Sequence, residues 1–213
     1  MIIFGSYHKT GTALFHNIWK EYFKNQPNDY LFSEHFDRVP DDEIKSNKCV
    51  VIIRNPYEVI MSGTRYHQIT SEKWVHVKNK NYGNMPYQEK INSLDDDGKI
   101  LFEMNNCGKW NIDAMYNDIK NRNFHGNVLF IKLEELYERE NIPVICEDII
   151  NHIKGENLNY KKLISCFENN LSRSFHRTND KNEYTYPGYF KEMHYQEFIK
   201  LFPEDTLKIL MYE

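Results

Sequence analysis

Near the start of the chain an apolar run, Ile2-Ile3-Phe4-Gly5, leads into Ser6-Tyr7-His8-Lys9-Thr10-Gly11-Thr12. Nothing else in the sequence restricts the possible folds as much. The run reads as a short buried strand. Beyond Ala13, the residues Leu14, Phe15, Ile18, Trp19, Tyr22 and Phe23 recur at the spacing of one helix face. The loop therefore joins a strand end to a helix N-terminus. Such a turn aims backbone N–H groups and the positive end of a helix at one point, which makes an anion site. Lys9 adds a full positive charge there. Taken alone, Lys-Thr-Gly-Thr fits an ordinary loop with a surface lysine equally well; its position between strand and helix argues for the anion site. The candidate anion-binding residues are Ser6, Tyr7, His8, Lys9, Thr10, Gly11, Thr12 and Ala13.

The Walker A loop of kinases, Gly-x4-Gly-Lys-Ser/Thr, has its lysine after the second glycine. Here Lys9 precedes Gly11, and Thr12 stands where that lysine would be. The next strong strand, Cys49-Val50-Val51-Ile52-Ile53, runs into Arg54. A nucleotide triphosphatase needs a magnesium-binding aspartate there. A small nucleotide kinase is thus a weaker alternative.

Arg54-Asn55-Pro56-Tyr57-Glu58-Val59-Ile60-Met61-Ser62 completes a pattern with the first loop. Together they resemble the sulfotransferases that use 3′-phosphoadenosine 5′-phosphosulfate (PAPS) as sulfuryl donor. In that family the first motif holds the 5′-phosphosulfate. The second, an Arg-(Asp/Asn)-Pro followed by a serine, holds the 3′-phosphate. The resemblance assigns Lys9 and its loop to the first role, and Arg54 and Ser62 to the second. Val128 to Leu136 is similar to the family's strand ending in Tyr-Glu-Asp-Leu, and Gly188-Tyr189-Phe190-Lys191 to its Gly-x-Trp-Lys. The family's general base, a histidine after the second strand, implies His35 in Ser33-Glu34-His35, with Glu34 as competing base. The family's Lys-Thr is replaced there by Ser33 and Glu34. Leu133 stands where relatives often carry a tyrosine near the adenine. The C-terminal Arg-x-Gly is absent, and Arg177 is the nearest substitute. These departures keep a catalytically silent module that binds the product PAP, the 3′,5′-bisphosphate, among the alternatives.

The fold implied is α/β: a single domain over residues 1–213, with a parallel central sheet flanked by helices and a P-loop-like anion site. Strands are predicted at Ile2–Gly5, Asp29–Phe32, Cys49–Ile53 and Val128–Leu133. Helices are predicted after Thr12, from Pro56 to about His67, over Ile100–Lys120, Ile149–Ile153 and Leu158–Asn169, and over His194–Leu201. Asp95-Asp96-Asp97 reads as a solvated turn. Ser172–Pro187 reads as loop. The stretch 68–110, with Trp74, Tyr82 and Tyr87, is unmatched by the family and is the expected acceptor-binding insertion.

Lys+Arg 27 against Asp+Glu 31 gives a net charge of -4, which does not favour nucleic acid or anionic membranes as partners. The expected partner is a hydroxyl-bearing small molecule or carbohydrate. No long apolar span is present, and the strand beginning at Ile2 predicts no signal peptide and a cytoplasmic enzyme. Cys49, Cys107, Cys146 and Cys166 form no CxxC pair and read as reduced structural residues. No metal-ligand spacing is evident, so no metal is expected.

Overall fold

The computed structural model describes residues 1–24, 29–122, 124–154, 158–175 and 186–213. Four strands form the central sheet: β1 (Ile2–Gly5), β2 (Tyr30–Ser33), β3 (Lys48–Ile53) and β6 (Val128–Lys132). Their order is β2-β1-β3-β6, and every pairing is parallel. Gly5 lies level with Ser33 on one side and Val51 on the other. The chain leaves β1 for β2 on one flank and returns to β3 on the other. That reversal creates a crevice beyond the strand ends, where open α/β sheets place ligands.

Alternation along the strands divides the core between two faces. Ile2, Phe4, Val50, Ile52 and Ile131 pack under α1 (Thr12–Tyr22), α8 (Ile142–His152) and α9 (Tyr160–Phe175). Ile3, Cys49, Val51 and Ile53 pack on the other face, under α3 (Pro56–Ile69), α6 (Lys109–Asn121) and α11 (Glu192–Leu201). Trp19 stacks on Phe4 at 3.5 Å between ring centroids, which fixes α1 against β1.

Asn55 accepts from the Tyr57 N–H at 3.0 Å and caps α3, with Pro56 in its first turn, as the sequence predicts. Other expectations are corrected. The acidic run is not a free turn: Asp95 accepts from the Gly98 N–H at 2.8 Å and starts α5 (Asp96–Glu103). The helix predicted over Ile100–Lys120 is interrupted by a π-turn at Met104–Gly108 before α6 begins. A short helix, α2 (Asp41–Ser46), precedes β3, with Asp41, Asp42 and Glu43 in its first turn, where acidic groups suit the helix dipole. The segment 68–110 holds a two-stranded ribbon of β4 (Lys78–Asn79) and β5 (Met85–Pro86), then α4 (Tyr87–Asn92). Val75, Tyr87 and Ile91 give it a small core of its own, too short in sequence to show a helical period. Helix α9 continues to Phe175, beyond the Asn169 expected. Residues 176–185 of the anticipated loop lie outside the described residues, and Arg177 with them.

Short helices complete the chain: α7 (Leu133–Tyr137) after β6, α10 (Tyr186–Tyr189), and α12 (Thr206–Ile209) near the C-terminus. Among the described residues, no helix is long and apolar enough to cross a membrane.

Candidate active site

Gly11 has φ +90 and serves as the N-cap of α1, with no side-chain cap. A Cβ there would also stand 2.9 Å from Leu133 Cδ1. Only glycine meets both conditions easily. The first N–H with an intrahelical acceptor is that of Phe15, bonded to the Gly11 carbonyl at 3.0 Å. The N–H groups before it, at Thr12, Ala13 and Leu14, have no intrahelical acceptor. Lys9 also holds a left-handed backbone, φ 66, an unusual state for a non-glycine residue and one that gathers at ligand sites.

Gly11→Ala is therefore expected to destabilise the protein by about 1–2 kcal/mol, from backbone strain. In a domain of this size that lowers Tm by roughly 2–8 °C. An unchanged Tm in thermal denaturation would refute the constraint.

Not every predicted loop residue faces the cavity. Ser6, Tyr7 and Thr10 are fully buried and brace the loop from within. The Thr10 hydroxyl donates to the Tyr7 carbonyl at 2.8 Å and accepts from the Tyr7 N–H at 2.9 Å. The Thr10 N–H is also spent on the Tyr7 carbonyl. The Tyr7 hydroxyl donates to Asp118 at 2.8 Å, and Asp118 is paired with Arg122 at 3.0 Å. The Thr10 hydroxyl, which the resemblance assigns to the anion, is bonded within the loop in this structure, and Ser6 and Tyr7 lie beneath it.

A cavity of about 1080 Å³ opens above this loop. It collects His8, Lys9, Gly11, Thr12 and Ala13 from the first motif, Arg54 and Ser62 from the second, and Glu34 and His35 from the turn after β2. Backbone bonds hold these parts together. The Ser6 N–H donates to the Ser33 carbonyl, and the Phe36 N–H to the Ser6 carbonyl, each at 3.0 Å. Gly5 has room for Phe36 because a Cβ there would meet its ring at 2.5 Å. Arg54 reaches across from the end of β3 and donates to the Lys9 carbonyl at 3.1 Å and to Glu58 at 3.2 Å. A guanidinium has five N–H donors, so these two bonds do not exhaust it.

The Lys9 ammonium lies 3.1 Å from the centroid of the Tyr66 ring. Burial lowers its pKa to about 8, helped by Arg54 and opposed by Glu72. His8 is held lower still, at about 3, by burial, Lys9 and His67. His35 is half-buried, and its Nδ1 is buried without a hydrogen-bond partner among the described residues. Glu34 is exposed. An unpaired buried ring nitrogen at a cavity wall is costly unless it serves a function.

Tyr66 carries no signal in the sequence, whereas Glu72, Trp74 and Trp110 fall in the stretch 68–110 expected to bind the acceptor; together they bring aromatic faces and a carboxylate to the wall. Tyr66 and Trp74 both donate to Glu72 at 2.6 Å. Burial would raise the Glu72 pKa, but these two hydrogen bonds help to bring it below the usual value. Trp110 stands 5.4 Å from the His35 ring, and Arg38 lies 5.4 Å from the Trp110 centroid. Lys191 of the C-terminal motif is not in the wall and pairs with Asp97 at 2.6 Å. His8, His67 and Cys107 also converge, each offering a ligand-type atom. The expectation of no His-Cys metal pattern therefore describes linear spacing only.

The class these features define is an α/β protein with a parallel sheet and a candidate anion loop at the crevice beyond its strand ends. No protein-family model and no curated protein matches the chain. Among solved structures, the crystal structure of mouse sulfotransferase SULT7A1 complexed with PAP matches with a TM-score of 0.52 at 16% identity. The match covers 97% of this chain and 83% of that one. The chain has a sulfotransferase-like fold.

Proposed function

We propose that this protein is a sulfotransferase that moves a sulfuryl group from PAPS to an acceptor hydroxyl. The observation that carries this reading is that Lys9, His35 and Arg54, which follow three different strands, share one cavity with Ser62 of α3. In this reading the donor's 5′-phosphosulfate rests on Lys9 and the N–H groups of Gly11, Thr12 and Ala13. Its 3′-phosphate is met by the planar fork of Arg54 and the Ser62 hydroxyl. His35 takes the proton from the acceptor. A new S–O bond forms to the acceptor oxygen as the bond from sulfur to the 5′-phosphate oxygen breaks. PAP leaves carrying that charge, which Lys9 offsets. A sulfuryl group is less charged than a phosphoryl group, so magnesium is not needed to neutralise it. Trp74 and Trp110 supply flat apolar faces, and Glu72 a polar partner, for a phenol or a sugar ring.

The match to a PAP-bound sulfotransferase structure supports the donor assignment. The test is a screen of phenols and carbohydrates with PAPS, with PAP release measured without magnesium. Turnover of an acceptor supports the proposal. Donor binding with no turnover would make the protein a PAP-binding module instead. Dependence on magnesium and ATP would make it a kinase.

Lys9 sets the pH dependence of donor binding. Its pKa of about 8 belongs to the neutral-favouring environment of the buried loop. A bisphosphate favours the ammonium form and raises that value. Donor binding is then accompanied by proton uptake above pH 8, and affinity falls as pH rises through that region. Calorimetry of PAP at pH 9 in two buffers of different ionisation enthalpy should show the uptake in the wild type and not in Lys9→Ala. Equal apparent enthalpies in the two buffers would contradict it.

A further inference from the structure

Beside the anion loop, three side chains arrive from three separate elements. His8 comes from the loop after β1, His67 from the last turn of α3, and Cys107 from the π-turn before α6. Their ligand atoms lie within 4.8 Å of one another. We propose that His8, His67 and Cys107 form a binding site for a transition-metal ion of the zinc class.

The donor set selects the metal. Two imidazoles and one thiolate suit borderline-soft cations and not magnesium or calcium, which take oxygen ligands. The spacing also fits. His8 Nε2 and His67 Nε2 are 3.1 Å apart. Two imidazole nitrogens on a tetrahedral zinc, each at about 2.0–2.1 Å, stand about 3.3 Å apart.

The surroundings add an independent argument. His67 Nδ1 meets Glu103 Oε2 at 2.7 Å, and the Tyr87 hydroxyl donates to the same oxygen at 2.8 Å. A carboxylate behind a histidine fixes the ring so that Nε2 keeps its lone pair, the arrangement found behind metal-bound histidines. Glu103 is only 1% exposed, and its one ion-pair partner among the described residues is His67. A buried carboxylate with so little compensation is costly. A divalent cation on the far side of His67 supplies the missing positive charge. Gly63 makes room for this carboxylate, since a Cβ there would lie 2.2 Å from Glu103 Oε1. Cys107 sits in a π-turn, an irregularity common at functional sites. His8 and Cys107 both line the cavity, so a fourth metal position would be reached from it.

The test uses the whole chain, stripped with a chelator and titrated with Co²⁺ alone. The expected result is saturation at one equivalent, with tetrahedral visible bands and a thiolate-to-cobalt charge-transfer band. Zn²⁺ should displace both. Cys107→Ser should abolish the charge-transfer band, and its melting curve without metal confirms that it folds. Glu103→Gln, checked in the same way, should weaken binding by roughly 10–100-fold. If the wild type gives no charge-transfer band, the two histidines are only a hydrogen-bonded pair and the proposal fails. It fails equally if the band survives Cys107→Ser. The spectrum needs neither donor nor acceptor, so its failure is separate from a failure of the sulfotransferase reading.

Discussion

His35→Ala is expected to lower turnover by about a hundredfold to ten-thousandfold while leaving PAP affinity close to wild type. The turn after β2 holds His35 at the cavity wall, pinned by the two backbone bonds between Ser6 and the Ser33–Phe36 turn. The Ser33 hydroxyl donates to the His35 carbonyl at 3.0 Å and stiffens the same turn. The effect falls on the rate because a base acts on the acceptor proton and not on the donor's phosphates. A base must be unprotonated to act, so the acidic limb of the pH–rate profile should vanish in the variant. The parallel change is Glu34→Gln. Glu34 is exposed, so little activity should be lost. If Glu34→Gln abolishes turnover while His35→Ala is nearly silent, the base is Glu34. If neither matters, the proposed acid–base chemistry is wrong.

Lys9→Ala is expected to cost on the order of a hundredfold or more in kcat, with a smaller loss in donor affinity. The charge on the 5′-phosphate grows as the S–O bond breaks, so an ammonium beside it helps the transition state more than the ground state. Burial makes Lys9 stronger in this role, because fewer waters screen it. It also makes the ammonium less stable before the donor arrives, which is the origin of its lowered pKa. Equal losses in binding and turnover, measured by calorimetry and single-turnover kinetics, would reduce Lys9 to an anchor.

Much of this site was legible in the sequence because its parts lie at strand ends. Lys9 and Gly11 follow β1, His35 follows β2 and Arg54 follows β3; a parallel sheet brings such ends to one edge whatever lies between them. The strands themselves were readable as short apolar runs. The inner wiring was not. Thr10 and Ser6 have the residue types of a phosphate loop, yet their hydroxyls are used by the loop itself. Local hydrogen bonding of this kind leaves no period or composition to read. The stretch 68–110 was singled out, but which of its residues form the wall with Tyr66 depends on how it packs between α3 and α6, and a single sequence holds no record of such long-range contacts. His8 and His67 are 59 positions apart, so no motif announced their contact. The π-turn at Met104–Gly108 was missed because a helical apolar pattern continues on both sides of it.

The central claim is that one cavity holds both phosphates of PAP. Titrating PAP and AMP into the protein by calorimetry, in chelator and without added metal, tests it most directly. The two ligands differ only in the 3′-phosphate, which the account places on Arg54 and Ser62. A charge-assisted hydrogen bond contributes about 1.5–3 kcal/mol, so PAP should bind roughly 10–150-fold more tightly than AMP. Arg54→Ala should remove most of that difference. Equal affinities for PAP and AMP, or a preference for PAP that survives Arg54→Ala, would contradict the account.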